Sequence, residues 1–248
     1  MIVGGLAVGA LALALALTAA LVAGFVRGLS GFGLALLLVP ALSLAVLPKE
    51  AVVVANLLAA MIGFIGLRKQ AASSERSAFV IAGVALLGLP LGLAALWTIP
   101  APVARLMIAL IAIGAFVAVL LPAKAGHVPG PKETVATGLG AGVLTGFAGM
   151  PGPPVVPYYL RRGIEPAVAR ASMMTVFLVT QLAGVLLSVA AGQATRREFI
   201  LGVVLFPAVL AGTWAGNHAF GRVSPNAWRG IAGAVLGASA IAAAVKLL

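Results

Sequence analysis

Long apolar stretches leave a chain few ways to fold, and here they fill almost the whole sequence. Apolar runs cover 2–26, 29–47, 51–67, 79–98, 103–121, 134–149, 154–160, 167–191, 199–220 and 227–248, with short polar stretches between them. About 20 apolar residues in helical form cross a bilayer core of ~30 Å. Only 8% of the residues are charged, against roughly 25% in soluble domains, so a soluble globule of this size could not be covered. Backbone groups in lipid must be paired within the segment, which selects helices for runs of this length. The expectation is an all-α polytopic membrane protein. The first run is longer than a signal-peptide core of ~7–15 residues and lacks a basic lead-in, so it reads as a span.

The chain reads as two repeats of about five segments each. Ser30-Gly31-Phe32 recurs as Thr145-Gly146-Phe147, and each is followed by a proline, Pro40 and Pro157. The stretch from Lys49 to Leu58 recurs from Glu165 to Met174, which places Asn56 opposite Ser172. Leu89-Pro90 is echoed by Phe206-Pro207. The expected organisation is a first transmembrane repeat at 1–121, a cytoplasmic linker at 122–133 and a second repeat at 134–248. At 1.5 Å per residue, the runs 134–149 and 154–160 are too short for two crossings. They read as half-helices meeting inside the membrane, broken or re-entrant, and the interruption near 27–31 is a fuller version of the same device. An odd number of crossings per repeat inverts one repeat relative to the other.

Charge orients the arrangement. Placing both termini outside a bacterial-type inner membrane puts most of the 16 basic residues on the cytoplasmic side, among them Arg68, Lys69, Arg76, Arg161 and Arg162, as the positive-inside rule requires. Lys49, Arg105, Arg196 and Arg197 then lie outside. The net charge of +11 is spread between apolar runs, so it speaks for topology and anionic lipid rather than nucleic acid. With no Cys, no Asp and two His, there is no thiolate or metal cluster and no acid within a span. An intramembrane enzyme would need such groups, so no catalytic residue, metal or cofactor is expected.

A helix interrupted at membrane depth frees N–H groups at the positive end of a half-helix, and these favour an anion. Two places have the composition for it. The first supplies Arg27, Ser30, Gly31, Phe32 and Gly33; the second supplies Thr145, Gly146, Gly149, Met150 and Gly152. Glycine lets backbone approach a ligand closely, and proline restarts a helix. Arg27 offers a guanidinium suited to an oxyanion, or else a snorkelling helix end. Asn56, Ser172 and Thr175 could complete the site with uncharged donors, or bond between helices like Gln181. Tyr158 follows the second break and is a further candidate.

These motifs, Gly28-Leu29-Ser30-Gly31-Phe32-Gly33 and the stretch from Gly142 to Gly152, resemble those of the sulfite exporter TauE/SafE family, also called the toluene-sulfonate uptake permease family. The second differs from the family's glycine-rich form at Met150-Pro151 and Pro153-Pro154. The resemblance implies a secondary transporter for a small sulfur-containing anion such as sulfite or an organosulfonate, held near the midplane between the repeats and released by alternating access. A transporter or channel for another small solute, a carboxylate or a neutral molecule, is the alternative. Membrane lipid, a co-transported proton or sodium ion and a second copy of the chain are the further partners weighed.

Overall fold

The computed structural model describes residues 2–3, 6–7, 10–120, 126 and 128–219. The last apolar run, at 227–248, and the C-terminus lie outside them. A ribbon of paired two-residue strands, β1 (Ile2–Val3) and β2 (Leu6–Ala7), precedes the helices. Helices α1 (Ala10–Ser30), α2 (Leu34–Leu42), α3 (Pro48–Gly63), α4 (Leu67–Ala72), α5 (Arg76–Thr98) and α6 (Ala101–Leu120) follow. After a connection come α7 (Pro131–Ala148), α8 (Gly152–Leu160), α9 (Pro166–Ala190) and α10 (Arg196–Ala219). Helix α7 begins within the stretch read from sequence as a linker. Five of these helices are long and apolar enough to cross a membrane.

The two broken segments differ from the expected pairs of half-helices. The 21 residues of α1 and the 18 of α7 span about 32 and 27 Å at 1.5 Å per residue, close to full crossings. Helices α2 and α8, with nine residues each, span about 14 Å. Each break is thus one long helix followed by one half-length helix. The turns between them use glycines with positive φ, Gly31 and Gly33 in the first and Gly149 in the second.

Two helix pairs, α1 with α10 and α5 with α7, are packed backbone to backbone. A Cβ on Gly216 would meet Phe25 O and Leu29 N; one on Gly92 would meet Val143 O and Phe147 N. Likewise Gly212 faces Leu21 O, and Gly88 faces Leu139 O. Gly24 and Gly28 of α1 therefore correspond to Gly142 and Gly146 of α7. This register aligns Gly31 with Gly149 and Val54, rather than Asn56, with Ser172. The sequence alignment of Gly31-Phe32 with Gly146-Phe147 followed a shared dipeptide; the packing follows the positive-φ turns.

Helices α2 and α3 form a core of Leu34, Leu37, Leu38, Leu42, Val52, Val54 and Leu58. A second cluster joins α5, α8 and α9 through Ile81, Val155, Val156, Tyr159, Met173 and Val176. Outward, α5, α6, α9 and α10 expose large apolar side chains, including Leu87, Leu91, Leu110, Leu186 and Val203. A soluble surface would not present such a continuous face; a bilayer requires it.

Ion pairs tie loops together at opposite ends. Arg197 meets Glu50 at 3.2 Å, joining the starts of α3 and α10, and Arg162 meets Glu75 at 2.9 Å, joining α5 to the end of α8. Gly142→Val would drive a branched side chain into Ala85 O and Leu89 N. We expect it to cost about 3 kcal/mol or more by overpacking, read as a fall in melting temperature in detergent. Gly83→Ala, with nothing within 4 Å of the added carbon, should leave stability equal or slightly raised.

Candidate anion site at the helix breaks

The first turn of a helix leaves N–H groups without intrahelical partners. In α2 these belong to Leu34, Ala35 and Leu36, and the backbone ladder of the helix begins with Leu37 N–H donating to Gly33 O at 3.2 Å. Neither α2 nor α8 has a side-chain cap at its N-terminus. In α8 the first three positions are Gly152, Pro153 and Pro154, so only Gly152 carries an N–H. Both N-terminal ends line one small cavity, together with Arg27, Phe32, Met150, Ala115, Phe177 and Gln181. Its volume of about 30 Å³ holds about two water molecules. That is the size class of a small inorganic oxyanion.

The polar groups around this cavity are unusually poor in partners. Arg27 is 3% exposed, so it does not snorkel to solvent, and its Nε has no hydrogen bond. Gln181 is equally buried and its Oε1 is unpaired. Two helix N-termini and a guanidinium give the cavity a positive potential, and an oxyanion would supply the missing acceptors. The opposite end of α2 is complemented: Arg105 Nε donates to Ser43 O at 2.6 Å, placing a cation at the negative end of the helix.

Arg27 also borders a larger cleft, of about 970 Å³, between α1, α3, α9 and α10. Arg170 lines the same cleft. Its Nη2 donates to Gly28 O and to Asn217 Oδ1, both at 2.7 Å. Gly28 O lies in the last turn of α1, where Phe32 N–H turns to Ser30 Oγ at 3.3 Å, so Arg170 serves as the cap of that helix end.

The residues expected from sequence are distributed as follows. Arg27, Phe32, Gly33, Met150 and Gly152 line the cavity. Ser30 instead bridges Val26 O and Phe32 O at 2.8 and 2.9 Å, and Gly31 lies beneath the Arg170 side chain. Gly146 is a packing glycine against α5. Thr145 donates to Ala141 O at 2.6 Å. Asn56 is wholly buried beside Gly149 and Gly184 with both amide atoms unpaired, next to the second break but off the cavity. Ser172 and Thr175 hold the turn before α5, through Glu75 N–H to Ser172 Oγ at 2.9 Å and Ser74 Oγ with Thr175 Oγ1 at 2.8 Å. Tyr158 contacts Thr134 and Arg162 at the other end of α8. Gln181 and Phe177, one turn apart on α9, line the cavity although sequence reasoning favoured an interhelical role for Gln181. A glutamine amid apolar helix was the available signal.

Apolar helices facing outward, broken helices inside and a cavity at the breaks that holds the buried Arg27 and Gln181 are the features of a membrane transport protein. The chain matches the family model described as Sulfite exporter TauE/SafE over residues 15–243. It belongs to the sulfite exporter TauE/SafE family, which is a family of transporters, not enzymes. A relative from Cupriavidus necator, described as "Probable sulfite/organosulfonate exporter TauE", is 29% identical over 128 residues, 52% of this chain and 50% of that protein. The match thus spans about half the length of the curated relative. No solved structure matches the chain.

Ser172→Ala should leave the Glu75 N–H unpaired and cost about 1–2 kcal/mol, seen as a lower melting temperature, while any anion-induced stabilisation persists. Loss of that stabilisation with an unchanged melting temperature would instead put Ser172 in the site.

Proposed function

We propose that the protein carries a small sulfur oxyanion, sulfite or an organosulfonate, across a bacterial inner membrane by alternating access. The observation that carries this reading is the meeting of two uncapped helix N-termini and the buried Arg27 in one cavity. The chemistry suits a compact anion with several acceptor oxygens. The repeats are inverted in this reading: α3 runs from the Glu50–Arg197 end to the Glu75 end, and α9 returns from Arg162 toward Thr195. With both termini outside, the Glu75–Arg162 end is cytoplasmic, in keeping with the basic residues clustered there.

Under this orientation the large cleft opens to the cytoplasm and reaches the cavity past Arg27. The place that corresponds to it at the other end, lined by Leu47, Pro48, Lys49 and Trp97, is a pocket of about 190 Å³. The structure then fits an inward-facing state. An inside-negative potential of 100 mV favours export by ~2.3 kcal/mol per anionic charge, so outward transport needs no acid within the membrane for coupling.

Sulfite efflux from proteoliposomes tests the reading, with Ala35→Pro as the decisive variant. Proline is tolerated in a first helical turn, and α8 already carries Pro153 and Pro154 in its own. The substitution deletes one N–H from the site and no polar side chain. A charge-assisted hydrogen bond contributes about 1.5–3 kcal/mol, so apparent affinity should fall roughly tenfold or more, and Arg27→Gln should reduce it further. Saturable efflux that is indifferent to both variants would refute the site; absence of efflux for any sulfur oxyanion, with efflux of neutral solutes, would refute the substrate class.

A further inference from the structure

The two breaks end their long helices differently. At the first, a cation closes the end of α1: Arg170 Nη2 donates to Gly28 O at 2.7 Å, and a Cβ on Gly31 would meet the Arg170 side chain. The register that aligns Gly31 with Gly149 and Val54 with Ser172 also aligns Gly28 with Gly146 and Arg170 with Val52. At the second break a wholly buried valine therefore stands where the first has its arginine, and α7 carries no basic residue in its last turn.

What α7 has there instead is a set of unpaired oxygens. Its backbone ladder closes with Gly149 N–H to Thr145 O at 2.9 Å and Met150 N–H to Leu144 O at 3.1 Å. The next residue, Pro151, has no N–H to give. Among the described residues no donor reaches Gly146 O, Phe147 O or Ala148 O, and all three residues are buried. Asn56 comes to the same place from α3. It is 0% exposed, and neither atom of its amide has a partner. Its Oδ1 lies on the side of the break, 3.3 Å from where a Cβ on Gly149 would stand, and Val52 O is 3.7 Å from the same point. Its Nδ2 is turned the other way, toward Gly184.

Acceptor oxygens without donors, at the negative end of a helix, favour a cation, and inside a bilayer they have no bulk water to turn to. These oxygens are neutral amide and peptide groups, the kind that replace the hydration shell of an alkali ion. The described residues hold no group of three or more carboxylates, histidines and thiols, so a divalent ion, which takes carboxylate ligands, is not matched. We propose that the end of α7 and Asn56 Oδ1 bind one monovalent cation of the sodium class, which does at the second break what Arg170 does at the first. The site lies across the break from the small cavity: Gly149 borders Asn56, whereas Met150 and Gly152 line the cavity. Its ligands are all acceptors, so it does not compete with the cavity for an anion. The proposal does not rest on the transport reading.

Binding of radioactive sodium to the purified full chain in detergent, followed by scintillation proximity with no sulfur oxyanion present, tests it. We expect saturable binding of one ion per chain, displaced by lithium and not by choline at equal ionic strength. Asn56→Leu should abolish the binding, and Asn56→Asp, which adds a formal charge to the ligands, should tighten it roughly tenfold. Gly83→Ala should leave it unchanged. Leucine removes an unpaired amide from apolar surroundings, so the Asn56→Leu protein should melt in choline no earlier than the native chain; this melting temperature shows that the variant is folded. No saturable sodium binding by the native chain would overturn the proposal, and so would binding that a folded Asn56→Leu protein retains. An ordered water at Asn56 in place of a cation would appear as equal melting temperatures of the native chain in sodium and in choline, which also overturns it. Because the assay contains no anion, its failure leaves the transport reading standing, and failure of sulfite efflux leaves the sodium site standing.

Discussion

A backbone amide inside a bilayer has no water to turn to, and the fold is organised around the few that its own helices leave unpaired. Elsewhere the chain solves this with long continuous helices. At the starts of α2 and α8 it does not: neither has a side-chain cap, and two of the donors that α8 could have offered are replaced by proline. Unpaired donors of this kind cost free energy unless something accepts from them. Both short helices point this need at the same cavity, beside an arginine whose Nε is also unsatisfied. In the function proposed above, an anion would supply the acceptor that each of these lacks.

Holding two helix breaks inside a membrane demands rigid surroundings. Without a hydrophobic drive between helices in lipid, close packing supplies the attraction, and small residues permit it. The paired glycines of α1 with α10 and α5 with α7 bring backbones into direct contact, so each long helix of a broken segment is anchored to a continuous helix of the other half of the chain. The half-length helices are held differently. Arg105 secures the end of α2, and the cluster of Tyr158, Tyr159, Ser77, Glu75 and Arg162 secures the end of α8. Their N-terminal ends are left to the cavity. Rigid pairs around two short helices, with a large opening on one side and a small pocket on the other, are what the alternating access proposed above would require.

Much of this was legible in the sequence, because apolar length and helix-breaking residues act locally. The spans, the position of both breaks and five cavity residues, Arg27, Phe32, Gly33, Met150 and Gly152, follow from run lengths and from glycine and proline. What was not legible depends on register and on partners far along the chain. Ser172 and Thr175 are legible as polar residues in an apolar helix, either ligands or bonds between segments; that their partners are Glu75 and Ser74, 97 and 101 residues away, is not. Gly146, a candidate for the ligand loop that also completes a Gly-xxx-Gly packing spacing with Gly142, makes its close approach to α5. A shared Gly-Phe dipeptide set the repeat three residues out of step with the packing. Gln181 stands out in the sequence as a polar residue in an apolar helix, but that it lines the cavity with Phe177 depends on how α9 packs and is not encoded locally.

The most direct measurement is the location of a bound anion heavy enough to be seen. Selenite has the charge and pyramidal shape of sulfite, and selenium scatters anomalously. In crystals of the protein soaked with selenite, we expect an anomalous peak in the small cavity, within hydrogen-bonding distance of the Leu34–Leu36 amides, the Gly152 amide and the Arg27 guanidinium. A peak beside Asn56 and Thr145, with the cavity at the N-termini of α2 and α8 empty, would contradict the account.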